Sequence, residues 1–185
     1  MSDRRLWIAI GEILVLGLPL AAFLRHRGWT WARISEPVRP RDLLRGLGLW
    51  LSAVLVFFGL SLAGRVVWPH APLAIFKLQV SGTFSLPPML LAVVLDPIAE
   101  ELLWLGYLVN VLRPRGLWLA AAISILLRTL VHAYQGLAAL VGPLILGVLF
   151  TRYYLRSRRL VPVMVAHTIQ DLLAFTVLLW SHRAA

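Results

Sequence analysis

Six long apolar stretches run through the chain, separated by short links rich in arginine and proline. They cover about Leu6–Leu24, Leu47–Val67, Leu86–Leu112, Leu117–Tyr134, Gly136–Leu155 and Leu160–Trp180. Each approaches or exceeds the roughly 20 residues that carry a helix across a bilayer. Backbone groups in lipid have no water to bond, so such a segment must satisfy its own N–H and C=O groups as a helix. The pattern predicts an all-α, polytopic transmembrane bundle of about six spans, forming one membrane domain over residues 1–185. Trp7, Trp50, Trp68, Trp118 and Trp180 fall near the ends of these stretches, as an aromatic belt at the membrane interface would. The link Gly28–Leu44 mixes Trp29, Trp31, Ile34 and Val38 with Arg and Pro and reads as an interfacial segment. No internal repeat is visible.

Polar positions inside the stretches sharpen this picture. Five of the eight acidic residues fall there: Glu12, Asp96, Glu100, Glu101 and Asp171. Arg128, His132 and His167 join them. A charged side chain at membrane depth costs about 2.5–3.5 kcal/mol on insertion scales, so these groups should converge on the bundle interior and mark function. Glu12 alone reads as a satisfied structural carboxylate. Asp96/Glu100, Arg128/His132 and His167/Asp171 are each four residues apart, on one face of their helices. Glu100 and Glu101 are adjacent and point about 100° apart. One can face a reaction centre while the other engages a neighbouring helix. Pro97 removes a helical hydrogen bond one turn before the pair, which predicts a break there with Asp96 as the N-cap of the restarted helix. Trp104, beside the pair, reads as packing.

Composition agrees with a membrane chain. The 185 residues are 60% hydrophobic, with mean hydropathy +0.83, well above a soluble domain. The net charge of +10 does not point to nucleic acid, because 17 of the 18 basic residues are Arg and most lie in the links. Twelve of them belong to the first, third and fifth links, against five basic residues on the opposite side. Positive-inside bias then puts those links in the cytoplasm and both termini outside. Leu6–Leu24 is followed by Arg25-His26-Arg27 rather than a small-residue cleavage site, so a retained span is expected instead of a signal peptide. The absence of Cys excludes disulfides and thiol chemistry. The implied setting is a bacterial plasma membrane, with the lipid bilayer and a peptide or membrane-protein substrate as partners.

Glu, His, His and Asp are what water-mediated peptide hydrolysis needs: a carboxylate to take a proton from water and groups to stabilise an oxyanion. The same side chains could hold a divalent metal such as zinc, although the compact HExxH signature is absent. No G-x-S nucleophile site is convincing.

The run Asp96-Pro97-Ile98-Ala99-Glu100-Glu101-Leu102-Leu103-Trp104-Leu105-Gly106-Tyr107 resembles the first motif, E-E-x-x-x-R, of the CPBP family. That family comprises the CAAX prenyl proteases, the bacteriocin-processing proteins and the Abi proteins. Arg128 to Gly136, with His132 four residues after the motif's aromatic position, resembles the second motif. His167-Thr168-Ile169-Gln170-Asp171 matches the third, H-x-x-x-N or H-x-x-x-D.

The resemblance implies a glutamate-dependent intramembrane endopeptidase with its catalytic core at residues 86–180. Glu100 would be the general base and His132 would help activate water. His167 and Asp171 would bind the substrate carbonyl or oxyanion, and Glu101 would organise the site. Many members are described as metalloproteases; a metal here would fall to Glu100, His132 and His167. Two positions depart from the pattern. Leu105 stands where the first motif has Arg, and Arg128 stands where the second has an aromatic. The paired departures suggest that Arg128 supplies the missing cation and pairs with Glu101. The competing class is a catalytically degraded relative serving as a membrane scaffold or immunity partner. A proton-coupled transporter would be expected to show an internal repeat.

Overall fold

The computed structural model describes residues 3–67 and 85–183, and these residues are mostly helical, with no strand among them. Seven α-helices follow in order. They are α1 (Asp3–His26), the single turn α2 (Trp31–Ile34), α3 (Arg41–Val67), α4 (Leu86–Glu101), α5 (Leu117–Leu130), α6 (Val141–Ser157) and α7 (Val161–Arg183). Beyond Glu101, α4 continues without a turn as a π-helical segment, Leu102–Val109, and a last helical turn, Asn110–Leu112.

The apolar stretches and the helices coincide closely, with four instructive differences. α3 starts at Arg41, so Trp50 lies two turns inside it rather than at an end, and its indole Nε1 donates to Gln170 Oε1 on α7 at 3.1 Å. α4 runs unbroken through Pro97, so Asp96 is not an N-cap. The irregularity comes one turn later, as the π segment, where each carbonyl reaches one residue further along the chain. α5 stops at Leu130, and two 3-10 turns, Ala133–Gln135 and Leu137–Leu140, connect it to α6. Gly136 joins those turns at φ +95°, a conformation that costs other residues strain. Trp68 lies outside the described residues, as does the Trp180 side chain.

The main core lies where α3, the π segment, α5, α6 and α7 meet. Leu49, Leu105, Val109, Phe150, Tyr154, Leu160 and Val163 are buried together there. A smaller cluster of Leu6, Met89 and Val93 seats α1 against α4. α3 and α7 approach so closely that a Cβ added at Gly46 would lie 2.6 Å from Val165 Cβ and 2.9 Å from the Pro162 carbonyl. The outward faces of α1 and α3 are apolar and open: Leu55 is 71% exposed, Phe58 67% and Phe23 59%. These two helices are long and apolar enough to cross a membrane. α5 has 14 residues and α6 has 17, both shorter than a usual span.

The arginine-rich links gather at one end. Arg158 closes α6 at φ 56°, a left-handed conformation that costs a non-glycine residue about 1–2 kcal/mol. Its guanidinium is held there by Asn110 Oδ1 and by the Arg33 carbonyl. Arg159 donates twice to the Pro37 carbonyl at 3.0 Å and lies 3.4 Å from Asp42, which also pairs with Arg45. The Gly28–Leu44 link is thus bound into the protein by the α6–α7 turn, and Trp29 packs edge-on against Tyr107 of the π segment at 5.0 Å.

Gly46→Ala should lower stability by about 1–3 kcal/mol, because the contact between α3 and α7 has no room for a methyl group. Gly48→Ala, where an added Cβ meets nothing within 4 Å, should be neutral or stabilising by up to about 1 kcal/mol. Thermal unfolding of the two variants in detergent measures the difference; equal midpoints would refute the close approach.

Candidate active site

Glu101 is the centre of the buried polar cluster. It is fully buried near the middle of the bundle, and its two oxygens are used by different helices. Arg128 Nη2 of α5 donates to Oε2 at 2.5 Å, and His167 Nδ1 of α7 meets Oε1 at 2.8 Å. Arg128 is itself 3% exposed. The pairing expected of Arg128 and Glu101 is therefore present, and it joins α4 to α5 while His167 joins α4 to α7.

Local structure explains why Leu105 does not take this position. It lies in the π segment with no exposed surface, packed into the main core with Val109, Phe150 and Leu160. Gly106 lets Leu160 and Ile34 close over the segment, since a Cβ there would meet Leu160 Cδ1 at 3.2 Å. Asn110 donates to the carbonyls of Leu105 and Gly106 at 3.1 and 2.8 Å, satisfying backbone that the change of helical register loosens. Ser124 Oγ donates to the Trp104 carbonyl at 3.0 Å and fixes the same turn to α5.

Phe150 forms an apolar wall between the cations. Its ring centroid is 5.8 Å from Arg128 Cζ and 5.9 Å from the His167 ring. The other edge of His167, Nε2, faces Asp171 Oδ1 at 3.7 Å, a distance of electrostatic contact rather than a hydrogen bond. Glu100 makes none of these hydrogen bonds. Its Oε2 is buried and has no hydrogen-bond partner among the described residues.

The structure brings Glu100, Glu101, Arg128, His167 and Asp171 together and leaves His132 at the margin. His132 follows the last turn of α5, half-buried, with Nδ1 2.9 Å from the Arg128 carbonyl. A carbonyl can only accept, so Nδ1 carries the proton and a neutral ring leaves Nε2 as a free acceptor. Its electrostatic neighbour is Asp96, which lies exposed on α4. Glu12, expected to be satisfied inside, is exposed on α1; nothing in the sequence distinguishes the inner from the outer face of that uniformly apolar helix. Among the described residues no three His, Asp or Glu side chains converge to hold a metal ion. Glu100, His132 and His167 therefore do not fit as a ligand set, since His167 is turned to Glu101 and His132 to backbone.

With this geometry described, relatives can be compared. The type II CAAX prenyl endopeptidase Rce1-like family matches residues 82–173, a segment that holds every member of the cluster. Over this segment the chain matches the Rce1-like family. That family consists of membrane-embedded proteases. The chain is also 29% identical over 164 residues to an uncharacterized 24.3 kDa protein of Escherichia coli, covering 83% of this chain and 72% of that one. No solved structure matches the chain.

Arg128→Met should destabilise the protein by about 3–5 kcal/mol, because it leaves the Glu101 carboxylate buried beside an apolar side chain. Adding Glu101→Gln should recover most of that loss while keeping an acceptor for His167. Denaturant or thermal unfolding of the two single variants and the double variant reads the coupling; additive losses would contradict the pairing.

Proposed function

We propose that this Rce1-like chain is a glutamate-dependent intramembrane endopeptidase, cutting a peptide bond in a membrane-associated peptide or protein. The single observation that carries the reading is the contrast between two adjacent carboxylates. Glu101 is fully engaged by Arg128 and His167, whereas Glu100 keeps a buried oxygen with no partner. An acceptor in that condition is suited to take a proton, and an engaged one is suited to hold helices in place.

In this reading Glu100 draws a proton from water as the water oxygen bonds to the scissile carbonyl carbon. His132, through its Nε2, helps to orient that water. The oxyanion of the tetrahedral intermediate is met from the α7 side. His167 has Nδ1 committed to Glu101, so its Nε2–H in the imidazolium form is the available donor. Asp171, one turn on, holds that edge of the ring. Collapse of the intermediate breaks the C–N bond as Glu100 passes its proton to the leaving amine, giving a carboxylic acid and an amine. Glu101 and Arg128 position these groups and do not touch the reacting atoms. Among the described residues these side chains do not gather as metal ligands.

The family match and the open apolar faces of α1 and α3 support a membrane setting, and the six apolar stretches support a multi-pass bundle with the cluster inside it. The Escherichia coli relative supports a bacterial setting. Leu105 in place of the motif arginine would favour a non-catalytic scaffold if no other cation reached Glu101; Arg128 supplies one.

Glu100→Gln and His132→Ala should each lower turnover of a membrane-peptide library by about 10²–10⁴-fold. Both variants should retain the wild-type unfolding midpoint in detergent. Equal cleavage by wild type and both variants would exclude this mechanism and favour the scaffold.

A further inference from the structure

Two buried side-chain polar atoms among the described residues have no hydrogen-bond partner, and both belong to the same stretch of helix. One is Glu100 Oε2 and the other is Trp104 Nε1. They are four residues apart across the junction of α4 with the π segment, so their side chains leave the same side of the helix on successive turns. Buried polar atoms in folded proteins are nearly always satisfied, and an exception calls for a physical reason. Here the two exceptions are complementary. An indole N–H can only donate, and an ionised carboxylate can only accept.

A single water molecule can satisfy both, accepting from Trp104 Nε1–H and donating to Glu100 Oε2. Building on the reading of Glu100 as the base, we propose that Trp104 is a catalytic residue that holds the hydrolytic water against Glu100. With one hydrogen directed at Glu100 and one lone pair taken by the indole, the oxygen keeps its second lone pair for the carbonyl carbon. When that bond forms, the proton moves to Glu100 and the Trp104 N–H stays on the same oxygen.

The backbone is arranged to keep Trp104 in place. Ser124 Oγ of α5 donates to the Trp104 carbonyl, so the turn that carries the indole is fixed to the helix that carries Arg128.

Trp104→Phe keeps the ring bulk and removes the donor. It should lower kcat about tenfold, the scale of one hydrogen bond, with KM and the unfolding midpoint unchanged. In the wild type the indole N–H resonance of Trp104, assigned by its loss in Trp104→Phe, should show transfer from water and should shift in Glu100→Gln. Wild-type kcat in Trp104→Phe beside an inactive Glu100→Gln would overturn the role of Trp104 and leave the base in place. A rise in KM together with a lower midpoint would make Trp104 a packing residue. An indole resonance blind to both water and Glu100→Gln would equally overturn it. Full activity of Glu100→Gln would remove the underlying reading and this one with it.

Discussion

The structure depends on one buried carboxylate. Glu101 has no contact with solvent, and a lone charge in such a place would cost several kcal/mol. It is tolerated because two other helices each bring a nitrogen to one of its oxygens. That requirement fixes relations that apolar packing leaves loose. Leucines can slide along one another at little cost, whereas a guanidinium and an imidazole reach a carboxylate from only one depth and one rotation of each helix. Arg128 therefore sets the position of α5 on α4, and His167 sets that of α7. Phe150 fills the gap between them and keeps the cluster dry.

The backbone of α4 adapts to the same constraint. Directly after Glu101 the helix widens into the π segment, which rotates the residues that follow. Position 105, one α-helical turn from Glu101, would lie beside it in a regular helix. Here that position holds Leu105, packed into the core with Val109, Phe150 and Leu160. The cost of widening is loosened backbone hydrogen bonding, and Asn110 and Ser124 meet it with side-chain donors to the carbonyls of Leu105, Gly106 and Trp104. Asn110 also joins Tyr154 and Arg158 at the arginine-rich end. Asn110 thus ties the π segment to the capped end. The link after α1 is bound into this end by Arg158 and Arg159 and so belongs to the folded unit.

Much of this was legible in the chain itself. The apolar stretches locate the long helices to within a few residues, because apolar length is a coarse signal that tertiary contacts seldom overturn. The contact of Glu101 with Arg128 was legible for a different reason. A buried cation and a buried anion must meet, and the missing arginine at Leu105 left Arg128 as a nearby substitute. What could not be read is what depends on the third dimension. Pro97 predicts a break, but α4 runs on through it and the irregularity appears after the glutamates. α5 ends early because Val131 to Leu140 folds as tight turns that hydropathy cannot distinguish from helix. Glu12 was assigned inward because its neighbours are apolar all round, so their pattern carries no information about which face is covered.

Under the proposed mechanism these constraints account for two glutamates standing side by side. A single carboxylate cannot both anchor three helices and carry a proton to and fro. If Glu101 took up a proton, its attraction to Arg128 would fall and the cluster would loosen. An adjacent residue, turned about 100° on the helix, shares the rigid platform without sharing the contacts. Glu100 thus shares that platform and has an oxygen with no hydrogen-bond partner among the described residues, and the second property is useful only because of the first. The pair divides one task into a charge that must never change and a charge that is free to change.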